Sequence, residues 1–270
     1  CTTEGQRTRA CKDDGCSHTE EMTLPARGHY WDVGRVTTPP TETTAGVRTY
    51  TCRIYGCNAT RTEEIPKLAP QVPVSERFDD VDPNGWACED IQYCVDHDLM
   101  NGIGNRKFAP KMVMTRAQMV QVLYNIVGEP AVTGETTFTD LTANWYQNAV
   151  LWAYQTGVAS GMSETTFAPD DPVTREQVTV FLAEFADRVL DKYTPYMWDA
   201  LFPFQDRESI SYYARTAMNW AVDHNLFSGV PGPGGLYLEP QSAATRAQMA
   251  VILAQFCREL NVWNEPIPEL

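Results

Sequence analysis

Thr115-Arg116-Ala117-Gln118, Thr174-Arg175-Glu176-Gln177 and Thr245-Arg246-Ala247-Gln248 are three copies of one short phrase. Each has the form Thr-x-x-Gln, in which the Thr hydroxyl accepts a first-turn N–H and the Gln side chain reaches back to the cap. The phrase therefore predicts a helix start at each position. Apolar residues follow at i, i+3, i+4 and i+7 in all three: Met119, Val122, Leu123, Ile126; Val178, Phe181, Leu182, Phe185; Met249, Ile252, Leu253, Phe256. One face of each helix is written for burial. An Arg beside each cap has the wrong sign for the helix dipole, which leaves two readings open: a plain capping box, or a helix start that receives an external anion.

Upstream of each phrase lies a second pattern. Each repeat opens on an aromatic residue closely followed by Asp: Phe78-Asp79-Asp80, Phe138-Thr139-Asp140 and Phe204-Gln205-Asp206. Counted from Trp86, Trp145 and Tyr213, the residues at offsets 5, 8, 13 and 16 are Ile91, Cys94, Leu99, Gly102; Val150, Ala153, Val158, Gly161; and Met218, Ala221, Leu226, Gly229. This predicts an amphipathic helix that ends ahead of a glycine, with Tyr93, Trp152 and Trp220 as core aromatics. A loop then leads to Phe108-Ala109-Pro110, Phe167-Ala168-Pro169 or Leu238-Glu239-Pro240, and the capping Thr comes five residues after each Pro. The expectation is a mainly α region of three helix-loop-helix repeats, residues 78–130, 138–190 and 204–260. None can bury its apolar face alone, so the three must pack together.

Residues 1–65 are of another kind. Arg7-Thr8-x-x-Cys11-x-x-x-Gly15-Cys16 returns as Arg48-Thr49-x-x-Cys52-x-x-x-Gly56-Cys57, each followed by Thr-Glu-Glu. This predicts two small β units, 1–30 and 31–65, and a Pro-containing linker at 66–77 with Pro66, Pro70 and Pro73. Four intervening residues allow a hairpin to bring two cysteines within disulfide reach, so Cys11–Cys16 and Cys52–Cys57 are the expected bridges. Zinc on Cys1, Cys11, Cys16 and His29 is the alternative, weakened because Glu42 stands where the second unit would need its counterpart of Cys1. In both readings the cysteines staple segments too small to hold a core.

Composition narrows the function. The 270 residues carry 21 Lys/Arg and 35 Asp/Glu, nine of each within residues 1–70, so the net charge of −14 belongs to the remainder. That balance opposes nucleic-acid binding. No apolar run is long enough for a membrane span, and no signal peptide is evident. The start at Cys1 reads as a fragment of a longer protein carrying upstream cargo, with a lipidated Cys as the lesser alternative. Five of the eight cysteines lie in the first 57 residues, which points to an oxidising exterior or to metal. His97 and His224 occupy one repeat position near a helix end, where a His suits the dipole. Cys94 beside His97 invites a nucleophile and base, but the other repeats have Ala153 and Ala221 there, so Cys94 reads as a small buried residue. No phosphate cradle, catalytic carboxylate pair or cofactor motif stands out.

On these positions, residues 78–260 resemble three tandem S-layer homology domains, and residues 1–65 resemble Cys-containing repeats of Gram-positive surface proteins. The resemblance implies a three-lobed pseudo-trimer around a helical bundle. It also implies a noncatalytic cell-wall anchor, extracellular, that binds a pyruvylated secondary cell wall polysaccharide without a cofactor. A pyruvate ketal presents a carboxylate, which a helix start and an Arg fork can hold. The expected contacts are Arg116, Arg175 and Arg246, with Asp80, Asp140 and Asp206 accepting sugar hydroxyls or orienting Arg. Trp86, Trp145 and Tyr213 offer faces for sugar rings, and Gly102, Gly104, Gly161 and Gly229 admit backbone to the ligand. Glu176 adds negative charge beside Arg175, so the grooves of Arg116 and Arg246 are expected to bind better. A protein-assembly module that uses the same helices is the competing reading.

Overall fold

The computed structural model describes residues 1–12, 14–41, 43–67, 72–193 and 199–263; Glu42 and Pro70 lie outside this range. The chain divides into two compact units, 1–71 and 72–270. Helix exceeds strand, 32% to 18%.

In the first unit, β1 (Gly5–Ala10) and β2 (Thr19–Leu24) form an antiparallel hairpin, and β3 (Arg35–Thr38), β4 (Gly46–Thr51) and β5 (Thr60–Ile65) form a three-stranded antiparallel sheet. Both hairpins place Cys-x4-Cys around the turn, and register decides what those cysteines meet. Cys11 donates its N–H to His18 and Cys52 donates to Ala59, so in each hairpin the first cysteine lies opposite a residue beyond the second. Among the described residues no disulfide forms, which corrects the expected Cys11–Cys16 and Cys52–Cys57 bridges.

The second unit starts earlier than the linker reading allowed. Val74–Arg77 forms a one-turn helix, α1, and Val74 is buried in the core. Six longer helices follow: α2 (Cys88–Asp96), α3 (Arg116–Ile126), α4 (Asn144–Thr156), α5 (Arg175–Arg188), α6 (Arg215–Asp223) and α7 (Arg246–Glu259). The capping boxes at Thr115, Thr174 and Thr245 are formed in full, with each Thr side chain accepting from the Gln amide and each Gln side chain accepting from the Thr amide. The first helix of each repeat ends sooner than its glycine. At the twelfth residue after Trp86, Trp145 and Tyr213 the chain turns left-handed, on Asp98, Gly157 and Asn225, residue types that tolerate that turn. The proline-rich third loop folds as a hairpin of β6 (Val230–Gly232) and β7 (Gly235–Tyr237).

Helices pair between repeats. α3 packs on α4, α5 on α6, and α7 on α2, so contacts run from the first repeat to the second, to the third and back to the first. Three backbone hydrogen bonds repeat this cycle: Met114 donates to Ala244, Ala244 to Val173, and Val173 to Met114. The core gathers the apolar faces of all three cap helices, including Leu123, Leu182, Phe185, Leu253 and Phe256. Cys94 is buried among them with its Sγ 3.3 Å from the Ala250 carbonyl. Burial pushes its thiol pKa up, away from a nucleophilic thiolate.

Candidate functional site

The three signature phrases meet at the junctions between repeats. Asp80 accepts the N–H groups of Phe108 and Ala109 at 2.8 and 2.9 Å. Asp140 does the same for Phe167 and Ala168, and Asp206 for Leu238 and Glu239. These paired bonds hold Ala109, Ala168 and Glu239 at φ of 58°, 58° and 51°, a left-handed geometry that costs a non-glycine residue about 1–2 kcal/mol. Each carboxylate thus fixes its own repeat's Pro-containing turn.

That turn then receives the phrase of the preceding repeat, the first turn taking that of the third. Arg116 Nε donates to Phe167 O at 2.9 Å and its Nη2 to Ser160 O; Arg246 Nε donates to Phe108 O at 2.9 Å and its Nη2 to Asn101 O. Each guanidinium also lies over a ring, Arg116 on Phe167 and Arg246 on Phe108, at 4.7 and 4.6 Å from the centroid. The helix-start amides are taken as well. Arg116 and Ala117 donate to Asp171 and Pro169, Arg175 and Glu176 to Ser242 and Pro240, and Arg246 and Ala247 to Met112 and Pro110. The open helix start anticipated from the sequence is therefore filled by the neighbouring repeat, because a buried N–H needs a carbonyl where water is excluded. Burial lowers the pKa of all three arginines, and nearby groups oppose it: Tyr213, Asp171 and Asp140 for Arg116; Glu239 and Asp206 for Arg175; Asp80 for Arg246.

The glycines also serve the protein. A Cβ on Gly102, Gly161 or Gly229 would run into the ring of Phe78, Phe138 or Phe204, the aromatic that opens the same repeat. They leave room for that ring, which in the first two repeats also touches Phe108 or Phe167. Gly104 has open space around its missing Cβ and a φ of 99°, so it marks a turn.

Arg175 differs from its two counterparts. Its Nε donates to Leu238 O at 2.6 Å, and with Leu in place of Phe at 238 its guanidinium stacks on Phe227 instead, at 4.9 Å. It lines a cleft of about 370 Å³ with Trp86, Leu226, Phe227, Ser228, Gly229, Val230, Gln248, Val251 and Ile252. Trp86 comes from the first repeat, Arg175 from the second, and Gly229 and Gln248 from the third. No acidic residue lines this cleft. Trp86 is 71% exposed and also walls a neighbouring cleft of about 320 Å³ that contains Asp80, Asp82 and Lys111. Glu176, expected to weaken the Arg175 groove, turns away from it. Its carboxylate accepts from Ser211 N at 3.0 Å and from Tyr213 Oη at 2.8 Å. Trp145 is exposed beside Tyr146, away from this cleft. Trp86, Arg175 and Gly229 are residues the sequence singles out for grooves between repeats; that these three share one cleft could not be read from it, because they come from three different repeats.

Residues 77–120, 137–179 and 203–250 each match the S-layer homology domain, together half of the 270 residues. The chain belongs to the S-layer homology domain family. Similar proteins include the Surface-layer 125 kDa protein of Lysinibacillus sphaericus, 25% identical over 204 residues, covering 75% of this chain and 17% of that protein. Exoglucanase XynX of Acetivibrio thermocellus is 28% identical over 184 residues, covering 66% of this chain and 16% of that protein. A cell surface protein of Thermoanaerobacter kivui is 29% identical over 90 residues, covering 31% of this chain and 12% of that protein. The chain thus spans less than a fifth of these relatives' lengths. S-layer homology domains and the surface-protein relatives make this region a cell-wall anchoring module of a cell-surface protein. Among the described residues no helix is long and apolar enough to cross a membrane.

Proposed function

We propose that the three S-layer homology repeats form a pseudo-trimer and hold a longer surface protein on the wall, without catalysis, by binding a pyruvylated secondary cell wall polysaccharide. The observation that carries this reading is the acid-free cleft around Arg175 in a chain of net charge −14. A ketal carboxylate there meets a guanidinium with donors to spare, and the exposed face of Trp86 suits a sugar ring. Phe227 and Gly229 complete the wall of the cleft. Arg116 and Arg246, with Asp80, Asp140 and Asp206, act mainly as the frame that keeps the clefts open. Trp145 and Tyr213 hold the corresponding platform positions of the other two junctions.

The test is retention of the chain on purified wall polysaccharide before and after chemical removal of ketal pyruvate. Trp86→Ala weakens binding about tenfold or more while leaving the melting temperature unchanged, since the side chain is mostly exposed. Unchanged affinity after pyruvate removal defeats the carboxylate assignment. Concentration-dependent assembly without retention of polymer favours the protein-assembly reading instead.

A further inference from the structure

In the first unit, Cys1, His29, Cys52 and Cys57 place one ligand atom each within 4.8 Å of one another. The sequence alternative was Cys1, Cys11, Cys16 and His29, of which Cys1 and His29 lie in this cluster. Cys52 and Cys57 stand there in place of Cys11 and Cys16, because the backbone brings both ends of the first sequence unit against the cysteine turn of the second. Gly28 donates to the Cys1 carbonyl, which sets Cys1 beside His29. Trp31 bridges to Cys52, and Arg53 donates to the Tyr30 carbonyl, which lays the strand after His29 along the cysteine turn. Cys57 donates its N–H to Ile54 and so folds back toward Cys52.

We propose that these four side chains bind one structural zinc ion. Zinc bonds of ~2.3 Å to sulfur and ~2.0 Å to nitrogen in a tetrahedron set sulfur–sulfur edges of ~3.8 Å and sulfur–nitrogen edges of ~3.5 Å. Cys1 Sγ lies 3.9 Å from Cys52 Sγ, and Cys57 Sγ lies 3.4 Å from His29 Nδ1. The first distance is nearly twice a disulfide bond of ~2.05 Å. Three thiolates and one imidazole are a donor set that selects zinc over hard divalent cations. A second observation says why this unit needs an ion: among its described residues, Cys52 is the only buried apolar side chain. A β unit of this size without a core requires a crosslink. It is also the one such cluster among the described residues.

The experiment uses the whole chain, purified without chelator, with zinc measured by elemental analysis and the site read independently after cobalt substitution. The expected result is one zinc per chain and a cobalt spectrum with tetrahedral ligand-field bands and thiolate charge transfer. His29→Ala and Cys57→Ser lower zinc to below about 0.2 per chain, whereas Cys11→Ser and Cys16→Ser keep it at one. All the described helices lie in the second unit, so an unchanged helical circular-dichroism signal shows that a variant keeps that unit folded and that its loss is confined to the first. The proposal is overturned if peptide mapping of freshly purified chain finds Cys52 in a disulfide with Cys1 or Cys57. It is equally overturned if zinc is substoichiometric in the parent chain, or if Cys16→Ser removes it as fully as His29→Ala does.

Discussion

Arg246→Ala removes the side-chain bonds that tie the third repeat to the first, and their cost can be worked from the contacts. The side chain gives charge-assisted hydrogen bonds to Phe108 O at 2.9 Å and Asn101 O at 2.5 Å, each of a kind that contributes about 1.5–3 kcal/mol. Its position 4.6 Å above Phe108 adds about 1 kcal/mol. Against this stands the desolvation of a buried guanidinium, which truncation relieves. The net loss is about 3–4 kcal/mol, and for a unit near 200 residues each kcal/mol moves the melting temperature by about 2–4 °C. A fall of about 10 °C is therefore expected in the thermal transition followed by helical circular dichroism. Arg175→Ala, which loses one hydrogen bond and one ring contact, falls by about half as much. Lys at 246 restores little, because an ammonium cannot fork between two carbonyls. If Arg246→Ala melts within about 2 °C of the parent, the guanidinium is not a latch between repeats and the role assigned to it is wrong.

Asp140→Asn leaves one acceptor for two amides and releases the left-handed Ala168, which destabilises the chain by about 2–3 kcal/mol in urea unfolding; an unchanged midpoint refutes the clamp. Gly161→Ala drives a methyl into Phe138 and into the carbonyls of Ser163 and Thr166, with an expected loss of about 3 kcal/mol, and a neutral outcome means the turn has slack. Burial, the hydrogen bond to Glu176 and that residue's charge push the Tyr213 phenol up from 10.0 to about 12. The folded chain then keeps a proton that the unfolded chain gives up. The corresponding stability is present in full below pH ~10 and is lost as pH rises through ~12. Urea midpoints across that window fall in the parent and fall less in Tyr213→Phe; parallel curves would rule this out.

The helix starts were legible because a capping box is local: Thr, Gln and the amides they satisfy lie within four residues. Burial of the offset positions was legible for the same reason, since a helix face repeats in sequence. What Arg116, Asp80 and Gly102 do was not legible. Their partners lie 44 and 51 residues away for Arg116, and 28 and 29 for Asp80. An Arg beside a helix start was read as reaching outward for an anion, whereas the carbonyls of the adjoining repeat supply the negative ends of dipoles from within. The cysteine pairing failed likewise. Spacing within one hairpin suggested neighbours, while the cluster joins residues up to 56 positions apart, Cys1 and Cys57.

Departures from the repeat pattern set the proposed binding cleft apart from the other two junctions. At two junctions the Phe of the Pro-containing turn offers both a carbonyl and a ring, and the guanidinium is bonded through Nε and Nη2. At the third junction Leu238 offers only its carbonyl, and Arg175 slides onto Phe227 at the wall of an open cleft. The substitution of Glu for Ala at 176 works in the same direction from the other side. It ties Tyr213 and Ser211 together at the junction served by Arg116, and its carboxylate faces away from Arg175. Three equivalent helix starts thus become unequal. Two arginines are tied through Nε and Nη2 to the adjoining repeat, and Arg175, bonded through Nε alone, stands beside the exposed Trp86 in the cleft proposed to take an acidic sugar, whose lining holds no acidic residue.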